Sequence, residues 1–425
     1  MKNFSLTPSD ESAKSNSLSI PSSAQADSVY AAITTPVVAQ TRRAHFFDRN
    51  RINLEAHQLI WCDANINDPV NQSESLITIG KLRKIVDYTK LFDNVNECLQ
   101  YMEQTKDTNT FRVCSEQFVE KLASGTHELK NIKTIYIYYS KNEPHLEQWS
   151  SDYARGHRIH TNLQLLLQDI TADVNTYLQQ ERDNIFSAAG RVNKSTVPFY
   201  ATWWRSFILM LCRLPHSESC VAEFLEVLRR YYQDKDPELK TLDEFERDYT
   251  PERAIWWYTC DTFIYRLLNK ALRQHNIQLM FLFGFYVKDM YKQLKNEHRN
   301  LRSRHSTDPL LKVYRGQMIS VDEIKQIKEV DSPGITITSF TSTSLDRGLA
   351  LVYLSTLTRP DDQLQSILFE IELDIRDQSL PFGNICHLSQ FTSEDEIQYY
   401  SNTPRKTIVE EHLHREENMT LISNT

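Results

Sequence analysis

Three short segments in the last third of this chain bring together a fixed cation, a cluster of hydroxyls and a pair of carboxylates. Val313-Tyr314-Arg315-Gly316-Gln317 ends an apolar stretch on an arginine. A guanidinium is planar, permanently charged and forked, which suits phosphate oxygens. Gly316 beside it carries no side chain, so a ligand can approach the backbone closely there. Ser339-Phe340-Thr341-Ser342-Thr343-Ser344 sets hydroxyls along a β-prone run. Ser393-Glu394-Asp395-Glu396-Ile397 places two carboxylates at alternate positions. In an extended chain both would project to one face, ~7 Å apart at ~3.3 Å per residue. A carboxylate fixed beside a sugar carbon stabilises positive charge that develops there when a glycosidic bond breaks. Each segment alone also fits a plain role: a surface arginine at a strand turn, hydroxyls pairing across strands, a solvated acidic turn.

In their order, with hydrophobic strands around them and the Glu-x-Glu spacing, the three segments resemble the Arg–Ser–Glu signature of mono-ADP-ribosyltransferases. That class is shared by arginine-specific transferases and many toxins. The resemblance covers roughly residues 245–425. It includes Trp257-Tyr258-Thr259 and the run Ile264 to Arg273, which are similar to the family's N-terminal helical layer. It implies NAD as a substrate, no metal, and a protein substrate with an acceptor arginine.

The resemblance also implies roles for single residues. Arg315 would support NAD binding, and the backbone next to it, at Gly316, would hold the nicotinamide amide. Ser342 opens the Ser-x-Ser motif, and Thr343 and Ser344 complete this part of the NAD site. The Ser342 hydroxyl would bond the catalytic glutamate and fix its rotamer. Glu396 would take the 2′-hydroxyl of the nicotinamide ribose and stabilise an oxocarbenium-like state. Glu394 would orient the acceptor guanidinium and draw off proton density, and a glutamate at this place goes with arginine as acceptor. Gln398 and the tyrosines after it depart from the family's more aliphatic strand. The expected activity is transfer of ADP-ribose from NAD to protein arginine with release of nicotinamide. NAD hydrolysis, with water as acceptor, would use the same site. A third reading, from another class, is an inactive interaction scaffold.

Positioning these residues takes a large chain, and 425 residues allow two or three domains. A net charge of -8 excludes non-specific nucleic-acid binding, which needs clustered positive charge. Seven cysteines sit singly, with no Cys-x-x-Cys pair, the pattern of reduced thiols in a cytoplasmic protein and not of a disulfide framework or zinc site. The N-terminus is polar and serine-rich, unlike a signal peptide. The longest apolar run, Leu279 to Val287, is about half of the ~20 residues a membrane span needs, and it predicts a buried core helix.

Residues 1–42 predict a disordered tail, too poor in apolar surface to order. Residues 54–170 alternate strands and helices, which predicts a parallel sheet covered on both faces. This module weakly resembles receiver-like or flavodoxin-like domains. Asp63 at the end of its first strand is read as a turn or cap residue, ahead of a phosphoacceptor or metal ligand. No glycine-rich phosphate loop is present in it, so a fragment from about 171 onward is expected to fold and turn over NAD alone. Residues 171–425 predict the transferase domain, helical over 171–300 and a mixed β-sandwich over 311–425. Thr250-Pro251-Glu252 reads as a helix start with a hydroxyl cap. Trp256, Phe263, Leu267 and Ala271 follow at helical spacing. Ile335 and Ile337 lead into the hydroxyl cluster, and Asp346 is placed to cap the helix after it.

Overall fold

β1 (His57–Cys62) is buried at every position. Its apolar run is unbroken by alternation, the mark of a strand covered on both faces. In the computed structural model the residues described are 47–49, 51–66, 72–126, 129, 131–139, 157–183, 197–217, 219–305, 308–321, 324, 339–356, 364–377, 381–390, 396–400, 407–412 and 420–423. The tail expected over residues 1–42, Ile335, Ile337 and Glu394 lie outside them. The chain divides into Met1–Asp48 and Arg49–Thr425, and all elements below belong to the second unit.

β1 is joined by β2 (Thr89–Phe92), β3 (Asn109–Ser115), β4 (Ile132–Tyr138) and β5 (His157–His160) in one sheet of order β2-β1-β3-β4-β5. Every pairing is parallel. Parallel neighbours need crossovers: α1 (Gln72–Ile85), α2 (Val95–Gln104) and α3 (Val119–Thr126) lie between successive strands from β1 to β4, and α4 (Leu163–Asp183) follows β5. Leu82 of α1 and Leu166, Ile170 and Val174 of α4 pack on Leu59, Trp61, Phe111 and Val113. Val95, Cys98 and Met102 of α2 and Leu122 of α3 pack on Ile60, Cys62 and Cys114 across the sheet. The alternating pattern therefore yields a doubly wound parallel sheet. Asp63 accepts the Asn65 backbone N–H at 3.0 Å, so its carboxylate closes a turn.

Among the described residues eight helices follow: α5 (Val197–Arg213), α6 (Ser219–Tyr231), α7 (Asp236–Asp248), α8 (Ala254–Thr259), α9 (Phe263–Arg273), α10 (Ile277–Leu282), α11 (Gly284–Arg304) and later α12 (Arg347–Thr356). Two local expectations change here. The apolar run Leu279 to Val287 is no single helix, because α10 ends at Leu282 and Phe283 turns the chain into α11. At the turn a Cβ on Gly284 would lie 2.5 Å from His216 Cε1, so any larger residue would push the His216 ring aside. The Trp256-to-Ala271 periodicity is likewise split, with Cys260 to Thr262 separating α8 from α9. Thr250 stands at the expected start, but its hydroxyl makes no capping bond and leads first into a 3-10 turn over Pro251–Arg253.

The parallel sheet and the helices are joined by buried polar contacts through Asn53–Glu55. Tyr231 Oη accepts the Leu54 N–H at 3.0 Å, and Tyr232 Oη donates to Glu55 Oε1 at 2.6 Å. Lys270 Nζ donates to the carbonyls of Asn53 and Glu55. Meanwhile α4 runs unbroken through residues 170 and 171.

β6 (Leu310–Ser320), β7 (Phe340–Ser344), β8 (Leu364–Asp374), β9 (Phe382–Asn384), β10 (Glu396–Tyr400), β11 (Thr407–His412) and β12 (Thr420–Ser423) form the second sheet, in the order β12-β11-β8-β6-β7-β10-β9. The expected mixed β-sandwich is instead one hydrogen-bonded ladder with every pairing antiparallel. The reason is β6: it pairs with β8 along its whole length on one side and takes β7 on the other, which links the two groups of strands. The period-two pattern of β8 puts Ile367, Phe369, Ile371 and Leu373 in one core with Val313, Ile319 and Ile397. Leu368, on the other face, packs with Ala350 and Leu354 of α12.

Candidate active site

Arg315, Ser342 and Glu396 come from three strands adjacent in the second sheet, β6, β7 and β10. The Ser342 hydroxyl donates to Glu396 Oε1. The Arg315 guanidinium donates from Nη1 to the Ser342 carbonyl at 2.8 Å, and Arg315 Nε reaches Gln317 Oε1 at 3.4 Å. Ser342 thus touches both other residues, one through its side chain and one through its backbone. Glu396 is only 7% exposed, so its carboxylate acts in a setting where electrostatic effects are stronger than in water.

The register explains the contact. Ser344 lies opposite Glu396 and Ser342 opposite Gln398, so these four side chains share one face of the β7–β10 pair. Thr343 falls on the other face, where it is buried and its hydroxyl donates to the Ile397 carbonyl at 2.8 Å. Its hydroxyl is therefore spent on the ladder, away from Ser342 and Glu396. The Ser344 hydroxyl accepts the Asp346 N–H at 3.0 Å, and Asp346 Oδ1 accepts the Gly348 N–H at 2.7 Å, which starts α12. At Gly316 the missing side chain is used by this helix: a Cβ there would lie 2.4 Å from the Ala350 carbonyl oxygen and 2.6 Å from Leu354 Cγ. On its Cβ side Gly316 therefore faces α12. Glu394 lies outside the described residues, and nothing structural is assigned to it.

Two groups of contacts outside the three segments hold these strands. From the helices, Tyr258 Oη reaches the Phe340 carbonyl and Asn269 Oδ1, each at 3.0 Å. Burial pushes the Tyr258 phenol well above its ordinary pKa, so it stays a neutral donor. The next residue, Thr259, accepts the Gln390 N–H at 2.9 Å on the stretch that leads to Glu396. One short helix end thus grips the start of β7 and the approach to β10.

From the other side, α11 holds β9. His298 Nδ1 accepts the Phe382 N–H at 3.3 Å, and its Nε2 lies 3.0 Å from the Ile375 carbonyl. These partners assign a neutral ring with the proton on Nε2. Burial lowers the His298 pKa, which keeps that form. A Cβ on Gly383 would lie 2.4 Å from Glu297 Cβ, so β9 runs tight against α11. β9 pairs in turn with β10, and the Ile385 N–H donates to the Glu396 carbonyl at 2.9 Å.

Sequence reasoning singled out Arg315, Ser342 and Glu396 by chemistry and order, and the fold links them. It gave Tyr258 and Thr259 no role beyond a helical layer and assigned no contact to Gln390 or His298. The signals for these lie in contacts spanning 82, 131 and 84 positions, which no local pattern reveals. Among the described residues no group of His, Cys, Asp and Glu is arranged to hold a metal ion, and no helix is long and apolar enough to cross a membrane.

No family model and no curated relative matches the chain. Among solved structures it is similar to Vis toxin, an ADP-ribosyltransferase from Vibrio splendidus, at 18% identity over 49% of this chain and 87% of that one, with a TM-score of 0.24. It is also similar to the ADP-ribosyltransferase Vis in complex with agmatine, at 15% identity over 49% and 86% of the two chains, with a TM-score of 0.19. At such TM-scores a functional reading of this chain rests on the geometry of its own site.

Proposed function

We propose that this protein transfers ADP-ribose from NAD to arginine side chains. The observation that carries the reading is the hydroxyl of Ser342 bonded to the buried carboxylate of Glu396, with the Arg315 guanidinium on the Ser342 carbonyl. A buried anion held in one rotamer and a fixed cation nearby are what cleavage of a pyridinium glycoside needs.

In this reading Arg315 neutralises the NAD phosphates, which its permanently charged fork suits. The bond from the ribose carbon to the nicotinamide nitrogen breaks, and its electron pair leaves with nicotinamide. Positive charge spreads over the ribose carbon and ring oxygen. Glu396 stabilises it and holds the ribose 2′-hydroxyl, while the Ser342 donor keeps the carboxylate aimed. An arginine nitrogen then attacks the ribose carbon and gives up a proton. Arginine has a pKa above about 12, so it needs a base to orient it and draw off that proton. Glu394 is assigned this part, because a carboxylate can take two guanidinium N–H groups in a fork. With water in place of arginine, the same steps hydrolyse NAD.

The acceptor assignment is tested with Glu394→Gln and agmatine as acceptor. Transfer should be lost while nicotinamide release into water continues, since cleavage depends on Glu396. Equal loss of both activities, or adducts mainly on serine, cysteine or asparagine of protein substrates, would overturn it. For the N-terminal sheet we propose the flavodoxin-like class on its 2-1-3-4-5 strand order. We assign that module no chemistry.

A further inference from the structure

Gln398 lies two positions after Glu396 on β10, so both side chains leave the same face of the strand. It stands directly opposite Ser342 in the ladder with β7. Side chains so opposed have Cβ atoms about 4.5–5.5 Å apart. Gln398 is 0% exposed, and among the described residues neither its Oε1 nor its Nε2 has a hydrogen-bond partner. An unpaired buried amide lowers stability. A leucine or methionine would fill the same volume without that penalty, and Ile397 next to it packs in an apolar core. Packing alone therefore gives no reason for an amide here.

Ser342 gives one. Its single hydroxyl proton goes to Glu396, while its oxygen keeps lone pairs that can accept. Gln398 Nε2 is a buried donor without a partner on the residue facing it. A donor to a hydroxyl oxygen polarises that hydroxyl and strengthens the bond it makes in turn. The terminal torsion of a glutamine is broad and turns easily.

We propose that Gln398 is a positioning residue that acts on Glu396 through Ser342. Its Nε2–H turns to donate to Ser342 Oγ, and this holds the hydroxyl proton on the Glu396 carboxylate while positive charge develops on the substrate. Gln398 itself touches no reacting atom. Stability is given up in the resting protein for a better-held carboxylate during the reaction, a trade that active sites often make. The inference rests on the ADP-ribosyl-transfer reading of the site.

The test uses the full chain with Gln398→Leu and Gln398→Met, two replacements of similar volume so that one misfolding variant does not end it. Wild-type nicotinamide release is measured first, and its absence would refute the functional reading itself. With turnover present, kcat should fall about 3- to 10-fold in both variants, the worth of one net hydrogen bond. KM for NAD should not change. The acid limb of the pH profile should move to higher pH, because a carboxylate with a weaker donor is easier to protonate. The denaturation midpoint should stay or rise. Wild-type kcat, an unchanged pH profile, or a midpoint that drops along with kcat would each overturn the proposal, the last by making the amide a structural group.

Discussion

Removing one oxygen from Tyr258 should loosen the strand that carries Ser342. The Tyr258 hydroxyl lies 3.0 Å from both the Phe340 carbonyl and Asn269 Oδ1. In Tyr258→Phe the ring keeps its packing, with centroids 5.5 Å from Phe340 and 4.9 Å from Tyr265, so the change isolates the hydroxyl. Asn269 retains its own bond to the Tyr265 carbonyl at 3.2 Å and can adjust. The Phe340 carbonyl is backbone and cannot move away without moving β7. A buried group that loses its partner costs about 1–3 kcal/mol. A value of about 2 kcal/mol is roughly a thirtyfold change in the folding equilibrium. The assay is denaturant unfolding, read as a lower midpoint at constant slope, with nicotinamide release measured on the same folded sample. Turnover per folded molecule should fall as well, because the Ser342–Glu396 bond depends on where β7 sits. A loss below about 0.5 kcal/mol, within the scatter of ordinary surface changes, would refute the reasoning. So would wild-type turnover.

Three further outcomes follow from the packing. Gly316→Ala forces a Cβ to 2.4 Å from the Ala350 carbonyl oxygen, and its unfolding midpoint should drop by the equivalent of about 1–3 kcal/mol; an unchanged midpoint would mean that α12 does not sit tightly on β6. His298 has its pKa lowered by burial from 6.5, so its contribution to stability is present above pH 6.5 and is lost as pH falls below it. His57, pushed down to about 4, acts with the same sign, and Asp87, pushed up to about 7, with the opposite one, so the wild type must be compared with His298→Gln, whose stability should fall less steeply on acidification. A fragment starting at residue 171 should fail to fold by circular dichroism, because the cut splits α4 and removes the Asn53–Glu55 partners of Lys270, Tyr231 and Tyr232; a folded, active fragment would contradict this.

The part of the site that could be read from sequence is the part that chemistry dictates. A forked cation, a hydroxyl and an alternating carboxylate pair have few uses together, and their strands follow from period-two patterns such as that of β8. The parallel sheet was legible for a similar reason, since strands and helices alternate from His57 to Tyr138. What could not be read was set by packing at a distance. Gly316 resembles a ligand-facing glycine until α12 is placed on it. Thr343 resembles its serine neighbours until the register turns it to the other face. The break at Phe283 is invisible in an apolar run, because nothing local marks where His216 will cross Gly284. The ties of the region after residue 170 to the N-terminal sheet run through Tyr231, Tyr232 and Lys270, whose partners lie some 177 to 217 positions away. Gln398 was visible only as a departure from an aliphatic strand, and its meaning depends on lying opposite Ser342.

The most direct measurement is nicotinamide release from labelled NAD, with and without agmatine, by the wild-type protein and by Glu396→Gln. The substitution keeps the shape of the side chain and its hydrogen bond to Ser342 but removes the negative charge. Loss of such preorganised stabilisation typically costs about 10²–10³ in rate. The wild type should release nicotinamide and label agmatine, and Glu396→Gln, folded as judged by its unfolding midpoint, should lose both activities by that factor. A Glu396→Gln protein with near-wild-type rates, or a folded wild-type protein that leaves NAD intact, would contradict the account.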